Sequence, residues 1–503
     1  MQFKAMRNKL GLIIGISVFA LLLLLPPPQG MDPNGMRAAA VSALMAIFWI
    51  TEAIPIFATA FIPIALFPLL GILNAKDIAG AYGHHIVLLI LGAFFVARAI
   101  EANQLHKRIA LGTIKLIGTS RQRIVLSFMI ATALLSMWTS NNSTTLMMLP
   151  IGLAIIQHEK THGSSDPGFS AGLMLAIAYS ASIGGTGTLV GTPPNLQFVS
   201  TMKEIFPDSP EVVFLDWMKI GIPFVIVFLP IAWFYLIKYF RIEGGLSGSD
   251  KIIDDEYKAL GRMSTAEKRV ALISVLYALG FIFRRNLIIG DMIIPGWSDV
   301  LGVESYTKDA TVAFLAAFAL FILPTGSKKG TGHKKRLLEW KDAQSIPWGI
   351  PMLIGGGLAI ASAFRESGLV SWIGNSLDLT GIPIFVVILI IVACMVFLTE
   401  INSNAATAAV FLPILAGLSK AGGFHPFLLM VPATIAASCA FMLPSGTGPN
   451  ASILASGHVS IPEMAKCGFG LNFLAIVVIV LLIYFVIIPV FGLANNVPVW
   501  MNL

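Results

Sequence analysis

The chain has 503 residues, of which 56% are hydrophobic and only 12% are charged, and its mean hydropathy is +0.84. Since soluble domains carry about 25% charged residues, this composition excludes a mainly soluble protein. The net charge of +7 does not indicate a nucleic-acid partner, because the basic residues fall in loops between apolar runs and no nucleic-acid motif is visible. We therefore expect an all-α, multi-pass membrane protein in contact with the lipid bilayer.

The first apolar run covers residues 9–26 and ends in three prolines. It is longer than the apolar core of a signal peptide, which spans about 7–15 residues, and no small-residue cleavage site follows it. We therefore expect a retained first helix, so that residues 1–37 form this helix and an external loop.

Three loops are rich in lysine and arginine, at residues 101–123, 238–269 and 327–341. The positive-inside rule places these loops and the N-terminus in the cytoplasm and the C-terminus outside, although Arg284 and Arg285 on the predicted outer side run against it. The intervening apolar runs predict about eleven transmembrane helices in the plasma (inner) membrane. Seven of these predicted helices lie outside the two hairpins and two broken helices that are described below. They cover residues 38–55, 57–73, 84–100, 218–238, 266–283, 308–324 and 346–364.

Residues 124–202 must supply a single net crossing, although they hold two apolar arms around SNNSTT and a segment interrupted at GGTGTLVGTPPN. The economical solution is a re-entrant hairpin over residues 124–158, followed by one broken helix over residues 168–202. Non-helical backbone at mid-membrane depth is tolerated only where protein or a water-filled cavity covers it. The polar tip of the hairpin is therefore predicted to line a site.

The same plan returns in the second half of the chain. SMWTSNNSTTLMMLP, which begins at residue 136, aligns without a gap with TEINSNAATAAVFLP, which begins at residue 399. GTPPN, from residue 191, likewise matches GTGPN, from residue 446. Five predicted crossings separate the two hairpins, and an odd number inverts the second copy. Such inverted repeats around a midplane site are typical of secondary transporters.

The domain plan follows from this repeat. We predict a first inverted repeat over residues 38–240, a cytoplasmic linker over 241–265 and a second inverted repeat over 266–503. The second repeat is predicted to contain a hairpin over 382–418 and a broken helix over 426–457.

The paired tips supply hydroxyl and amide groups where helices begin. Helix N-termini with such donors suit an anion. Carbonyl and side-chain oxygens left free by unwound backbone suit a small hard cation such as sodium. Because neither tip contains lysine or arginine, a bound anion needs the helix dipoles and co-bound cations to offset its charge. These properties predict sodium-coupled anion transport.

Four motifs carry a resemblance to a known family: TEAIP at 51–55, MWTSN at 137–141, GTPPN at 191–195 and SNAAT at 403–407. On these residues the chain resembles the divalent anion/sodium symporters, which transport dicarboxylates, citrate and sulfate. The resemblance covers nearly the whole chain. It implies two hairpins that open to opposite sides, a homodimer, and elevator-like movement of a transport domain.

The resemblance also assigns site residues by position. One sodium site would use Ser136, Ser140, Asn141 and the carbonyl of Gly191, and its mirror would use Thr399, Asn404 and the carbonyls of Asn402 and Gly446. The anion would lie among eight residues of the tips and breaks: Asn141, Asn142, Ser143, Thr192, Ser403, Asn404, Ala405 and Thr447.

Two tip residues depart from the family pattern, which has threonine where this chain has Asn142 and Ala405. Ala405 offers no side-chain hydrogen bond, which weakens a symmetric grip on both ends of a dicarboxylate. We predict a sodium-coupled symporter of a small divalent anion, with a dicarboxylate such as succinate as the first candidate. A sulfate-type symporter and a sodium-independent dicarboxylate exchanger are the alternatives, and an anion channel or a non-transporting sensor is less favoured.

An enzyme is not expected. The sequence contains no HExxH, no GxSxG and no paired intramembrane aspartates. The tips hold amides and hydroxyls without a base that could activate a nucleophile.

Overall fold

A computed structural model of the chain describes residues 2–118, 120–161, 166–245, 249–289, 292–328, 334–376, 381–493 and 498–501. The helices of the first half are α1 (Gln2–Leu24), α2 (Pro33–Thr51), α3 (Ile56–Thr59), α4 (Ile62–Leu69), α5 (Ala75–Tyr82), α6 (His85–Ala102), α7 (Leu105–Ile117), α8 (Arg121–Ser136), α9 (Asn141–Thr161), α10 (Pro167–Gly185), α11 (Pro193–Ile205) and α12 (Phe214–Tyr239).

The helices of the second half are α13 (Ser249–Ala259), α14 (Thr265–Ile282), α15 (Trp297–Val300), α16 (Asp309–Ile322), α17 (Trp340–Ala343), α18 (Gly349–Glu366), α19 (Leu369–Ser376), α20 (Ile384–Ile401), α21 (Asn404–Gly422), α22 (Phe427–Ala436), α23 (Gly448–Ala455), α24 (Ile461–Leu482) and α25 (Ile488–Phe491). A π-helical turn, Ile483–Ile487, joins α24 to α25, and a 3-10 turn covers Val499–Met501. Two antiparallel two-stranded sheets pair β1 (Leu287–Ile289) with β2 (Met292–Ile294) and β3 (Pro324–Lys328) with β4 (Lys334–Arg336).

The predicted all-α polytopic fold is confirmed. In the described part of the chain, eight helices are long and apolar enough to cross a membrane, or nine if α18 and α19, which meet at 67°, count as one span. The number is below the predicted eleven because several predicted crossings are short. The predicted helix over 57–73 is divided into α3 and α4, and α16 and α22 have only 14 and 10 residues.

One predicted loop is largely helical. Residues 101–123, which the sequence analysis treats as a basic loop, contain α7, whose buried face includes Leu111 and Ile114. Its polar face carries Arg108, whose Nε donates to Glu267 Oε1 at 2.7 Å. The helix was missed because it is amphipathic, and its basic residues hide the apolar stripe from a search for long apolar runs. Residues 246–248 of the predicted linker lie outside the described residues.

Arg284 and Arg285 on the predicted outer side belong to a paired cluster. Arg284 is 1% exposed, and its Nε donates to Asp309 Oδ1 at 2.6 Å. Arg285 Nη2 and Lys308 Nζ both donate to Glu211 Oε2, at 2.6 and 2.7 Å. Because the acidic partners offset their charge, these arginines do not contradict the predicted orientation, which stays a prediction.

The site is positioned by a helix that is buried over nearly its whole length. Every residue of α10 from Phe169 to Gly185 is buried, and the helix packs against α8, α9, α12 and α23. Small residues dominate its sequence, so neighbouring helices approach closely. In the second half, α21 packs against α11, α18, α19 and α22. The peripheral α1, by contrast, packs on α2 and leaves most of its surface exposed, as a lipid-facing helix does.

Candidate functional site

The polar interruptions of both halves meet at one cavity of about 500 Å³. All eight predicted anion-binding residues line it, and the described residues contribute no Asp, Glu, Lys, Arg or His to its lining. Except for Ser345, the polar part of the lining comes from the tips and breaks: Ser140, Asn141, Asn142, Ser143, Gly191, Thr192, Ser403, Asn404, Gly446, Thr447 and Gly448. The remaining side is an apolar wall, which sequence reasoning missed, formed mainly by Ile56, Phe57, Ile90, Phe94, Ile350 and Leu353.

Four helices begin at this cavity. The first residues of α9, α11, α21 and α23 are Asn141, Pro193, Asn404 and Gly448, and all four line it. The first turn of a helix leaves N–H groups unpaired and carries the positive end of the helix dipole. An anion in the cavity would therefore meet four positive helix ends, although no basic side chain lines it in the described part of the chain.

A cluster of oxygen atoms surrounds the side-chain amide of Asn141. Asn141 Oδ1 lies 2.9 Å from Ser136 Oγ and 3.2 Å from the carbonyl oxygens of both Gly191 and Ala181. Ser136 Oγ also lies 2.7 Å from the Ala181 oxygen. Since a hydroxyl has one proton, Ser136 can satisfy only one of these acceptors at a time. The cluster therefore contains more acceptors than donors.

The second half contains a matching cluster around Asn404. Asn404 Oδ1 lies 2.9 Å from Thr399 Oγ1, 3.1 Å from the Ala437 oxygen and 3.2 Å from the Gly446 oxygen. Thr399 Oγ1 lies 2.7 Å from the Ala437 oxygen. The excess of acceptors over donors is the same as in the first cluster. Because the same arrangement occurs in both halves of the chain, it is not a chance feature of one of them.

Two changes would balance each cluster. If the amide turns over, the two hydrogens of its Nδ2 can be donated to two of the three surrounding oxygens, while the hydroxyl donates to the carbonyl of Ala181 or Ala437. If its oxygen stays inward, a cation must sit among the oxygens, and hydroxyl, carbonyl and amide oxygens are the ligands that small hard cations prefer. The donor set of both clusters therefore fits a sodium ion.

Two residues that are predicted sodium ligands make side-chain hydrogen bonds at the helix ends. Ser140 Oγ accepts from the Ser143 N–H at 3.2 Å and donates to Ser143 Oγ at 2.9 Å, so it caps α9. Asn402 Oδ1 accepts from the Ser403 N–H at 2.9 Å, a bond that does not involve the main-chain carbonyl predicted as the ligand. Both residues stay predicted ligands, and the clusters also contain two carbonyls that the sequence analysis did not name, those of Ala181 and Ala437.

Glu400 is a buried carboxylate that the sequence analysis did not assign. It is 2% exposed, accepts from the backbone N–H groups of Phe441, Met442 and Leu443 at 2.7–3.0 Å, and accepts from Asn472 Nδ2 at 2.8 Å. A buried charge needs such a full set of donors. Glu400 thereby fixes the unwound segment between α22 and α23.

Two asparagines of the GTPPN and GTGPN motifs hold the breaks together. Asn195 Nδ2 donates to the carbonyls of Gly185 and Thr188 at 3.2 and 2.7 Å, and Asn450 Nδ2 donates to two carbonyls of the second break, both at 3.1 Å. Gly185 is needed for close approach, because a Cβ there would lie 2.2 Å from Asn141 Oδ1. In the described residues, no group of three or more His, Cys, Asp or Glu side chains could hold a metal ion.

Sequence comparison identifies the family. A family model described as the sodium:sulfate symporter transmembrane region matches residues 6–493. The sodium-dependent dicarboxylate transporter SdcS of Staphylococcus saprophyticus is 42% identical over 498 residues, which cover 97% of this chain and 93% of that protein. SdcS of Staphylococcus aureus strain NCTC 8325 is also 42% identical, over 499 residues with the same coverage.

Comparison with solved structures supports the fold. MtrF of Neisseria gonorrhoeae, described as illuminating a class of antimetabolite efflux pumps, aligns with a TM-score of 0.57 and 13% identity over 92% of this chain and 96% of that one. The YdaH transporter of Alcanivorax borkumensis, described as having an unusual topology, aligns with a TM-score of 0.50 and 13% identity over 98% of each chain. Since the family model spans nearly the whole chain, the protein belongs to the sodium:sulfate symporter family, the divalent anion/sodium symporters, and is a membrane transporter rather than an enzyme.

Proposed function

We propose that the protein is a sodium-coupled symporter that carries a small dicarboxylate, such as succinate, across the plasma membrane. The observation that carries this proposal is the pair of matched oxygen clusters beside one uncharged cavity at which four helices begin. The names of the relatives, which are sodium-dependent dicarboxylate transporters, support the same ion and the same substrate class.

The coupling follows from charge. A dicarboxylate brings two negative charges into a cavity whose described lining has no basic side chain, and each helix N-terminus stabilises an anion by only about 0.3–2 kcal/mol. Sodium ions at the two clusters would add full positive charges at short range. Asn141 and Asn404 belong both to the clusters and to the cavity lining, so ion and anion share residues. Sodium binding is therefore expected to raise anion affinity, and anion binding to raise sodium affinity by the same factor.

Sulfate symport is the second candidate. The description of the family model names sulfate, and Ala405 offers no side-chain donor to a second carboxylate. A cavity of about 500 Å³ nevertheless leaves more room than a single sulfate needs, and its apolar wall suits the hydrocarbon part of a dicarboxylate. Sodium-independent exchange would instead require the amides of both clusters to be turned over, with no ion among the oxygens.

We further propose that the tips and breaks move together as an elevator-like unit along the apolar wall. The side chains of that wall that face the cavity, among them Phe57, Phe94 and Ile350, make no hydrogen bond to the tips, so sliding would break no polar contact with them. A homodimer with a cytoplasmic N-terminus and an external C-terminus belongs to the same proposal. Mass photometry in nanodiscs and protease access to terminal tags would test assembly and orientation.

Uptake into proteoliposomes tests the proposed function. Radiolabelled succinate and sulfate would each be supplied with and without an inward sodium gradient. The expected result is saturable succinate uptake against its own gradient that requires sodium. Uptake of sulfate alone would select the second candidate. Succinate uptake of equal rate without sodium would contradict the coupling, and uptake that never saturates would indicate a channel.

Replacement of the two shared asparagines tests the site itself. Asn141→Ala and Asn404→Ala each remove a ligand oxygen from one cluster and an amide from the cavity, so we expect each to abolish uptake while the protein stays folded. Asn34→Ala is a matched control, because Asn34 is half-buried near the start of α2, does not line the cavity, and accepts through Oδ1 from Arg37 Nη1. It is expected to transport normally. Normal uptake by either cavity variant would show that the site is assigned wrongly.

A further inference from the structure

The helices around the cavity fall into two groups by their packing. The tips and breaks form the first group together with α12, because α12 packs mainly on α8, α10 and α24. The helices of the apolar wall, α3, α6 and α18, form the second group together with α14 and α16, because α16 packs on α6 and α14 packs on α16. The first group contains the unit proposed above to move, and we call it the mobile group. We call the second the wall group.

An ion pair joins the two groups at the end of α11. Arg365, in the last turn of α18, lies with its Nη1 3.0 Å from Oε1 of Glu204, in the last turn of α11. The same nitrogen donates to the main-chain carbonyl of Glu204 at 2.6 Å. Arg365 of the wall group therefore binds both the side chain and the backbone of a helix in the mobile group.

A second contact joins the groups a few residues further along the chain. Glu211 lies between α11 and α12, and it accepts from Arg285, just after α14, and from Lys308, just before α16. Phe214, the first residue of α12, donates through its N–H to Oδ2 of Asp309, the first residue of α16, at 3.1 Å. The segment that leads into α12 is thus held by charged residues of the wall group.

The second contact is largely buried. Asp309 is 7% exposed and accepts from Arg284, which is 1% exposed. A buried charge that loses its partner is strongly destabilised. Sliding of the mobile group along the wall group would separate Glu211 and Phe214 from these charges, so the position in this structure is favoured electrostatically.

Both contacts lie at one end of the helices, far from the cavity. Ile350 lines the cavity in the first turn of α18, and Arg365 lies in the last turn of the same helix. At 1.5 Å per residue, the two are roughly 20 Å apart along the helix axis. A change at Arg365 therefore leaves the cavity lining untouched.

The charged side chains at the opposite end, where α14 begins, pair differently. Arg121 pairs with Glu159 inside the first hairpin, and Arg108 of α7 pairs with Glu267 of α14. Neither ion pair joins the mobile group to the wall group. In the described part of the chain, the ion pairs between the two groups are therefore those at the end of α11 and in the segment that follows it.

We propose that the contacts of Glu204 and Glu211 with the wall group form a clamp, which holds the mobile group in the position of this structure and must open in each transport cycle. This inference rests on the proposed function, since it names what resists the movement of the tips and breaks. Because the clamp lies away from the cavity, it sets the populations of the two positions of the mobile group and not the contacts of the bound anion. A weaker clamp therefore raises the population of the second position.

Distances between spin labels test the clamp without substrate. Labels at Asp208→Cys, between α11 and α12, and at Tyr306→Cys, just before α16, report the separation of the two groups, and both native side chains are exposed. Cys394→Ser removes the exposed native thiol, while Cys439 and Cys467 are buried. Pulsed electron paramagnetic resonance of the full chain in nanodiscs would then give the distance distribution of this labelled parent protein.

Glu211→Gln and Arg365→Gln weaken the clamp at two separate places. Losing a bond to a charged group shifts an equilibrium by about tenfold or more. Each variant should therefore raise the ratio of a second distance to the main one by about tenfold. The double variant should raise it by about a hundredfold, because the two contacts share no partner.

Lys219→Gln is the matched control for these variants. Lys219 pairs with Asp216 at 2.9 Å within α12, at the same end of the helices but inside one group. We expect it to leave the distance distribution unchanged. A double variant of Glu211→Gln and Arg365→Gln with the distances of the parent protein would overturn the inference.

A charge swap separates a clamp from a general loss of stability. Glu204→Arg alone and Arg365→Glu alone should each raise the second distance, because each places like charges together. The two changes combined should return the distance distribution towards that of the parent protein, because the ion pair is recreated in reverse. A combined variant that shows the sum of the two single effects would contradict a clamp at this pair.

Transport and distance measurements separate this inference from the proposed function. If wild-type protein shows sodium-driven succinate uptake and the clamp variants keep the distances of the parent protein, only the inference about the clamp is wrong. If wild-type protein takes up neither succinate nor sulfate, with sodium or without, the proposed function is wrong. The distances then still decide whether Glu204 and Glu211 hold the two groups together.

Discussion

Replacing Glu400 with glutamine tests whether one carboxylate holds the second break in place. The two oxygens of Glu400 divide the donors between them: Oε1 accepts from Phe441 N, Met442 N and Asn472 Nδ2, and Oε2 accepts from Met442 N and Leu443 N. Glutamine has the same shape but replaces one oxygen with an NH₂ group and removes the charge. In its better orientation, the Leu443 N–H loses its acceptor and faces a donor.

The size of the effect can be worked out from these bonds. A buried donor left without a partner costs about 1–3 kcal/mol. The remaining bonds lose the assistance of the negative charge, which makes such bonds roughly twice as strong as neutral ones. Together these losses amount to roughly 2–4 kcal/mol in the segment that joins α22 to α23. Because the carbonyls of Ala437 and Gly446 flank that segment, the second sodium cluster should be disturbed more than the first.

Sodium-dependent thermal stabilisation of the purified protein would measure this. We expect Glu400→Gln to unfold at a lower temperature and to need about tenfold more sodium for half-maximal stabilisation, the equivalent of about 1.4 kcal/mol. Met137→Leu is the matched control, because Met137 aligns with Glu400 and is buried but contributes only its main-chain carbonyl, which accepts from Thr188 Oγ1. It should leave the sodium requirement unchanged. A Glu400→Gln protein with wild-type stability and sodium response would refute the reasoning.

Two further predictions concern stability. Burial raises the pKa of Glu211, but the Lys308 ammonium that donates to it and the neighbouring arginines outweigh burial and hold that pKa below its usual value of 4.5. The stabilisation that the Glu211 carboxylate gives is therefore complete above pH 4.5 and is lost as the pH falls through the lowered pKa. In a profile of thermal unfolding temperature against pH, Glu211→Gln should lose less stability at low pH than the wild-type protein does. Gly184→Ala should destabilise the protein by about 1–3 kcal/mol in thermal unfolding, because its Cβ would lie 2.4 Å from Ala133 Cα, whereas Gly80→Ala, which meets nothing within 4 Å, should not.

Helix positions near the site follow closely from the sequence. The predicted hairpin over 124–158 corresponds to α8 and α9, which together cover 121–161. The predicted broken helix over 168–202 corresponds to α10 and α11, which cover 167–205. These bounds are readable because apolar runs there stop at serine, asparagine or proline, residues that cap or begin helices. The resemblance to the divalent anion/sodium symporters then predicted that eight distant residues would share one cavity.

The features that the sequence did not reveal depend on the backbone or on contacts between halves. The carbonyls of Ala181 and Ala437 enter the oxygen clusters, and a main-chain ligand has no signature in residue type. Glu400 binds N–H groups some 41 to 43 residues further along the chain, which no local pattern indicates. A Cβ at Gly448 would lie 2.8 Å from Asn142 Oδ1, a contact between the two halves that neither motif shows by itself.

The central claim is that sodium ions at the two clusters allow a cavity without charged side chains to hold a dianion. Measuring succinate binding in the presence and absence of sodium tests this claim most directly. Succinate would be titrated calorimetrically into the purified protein in choline chloride and at increasing sodium concentrations. The account predicts no measurable binding without sodium and an apparent affinity that rises more steeply than the first power of the sodium concentration, since two ions contribute. Succinate binding of equal affinity in choline and in sodium would contradict it.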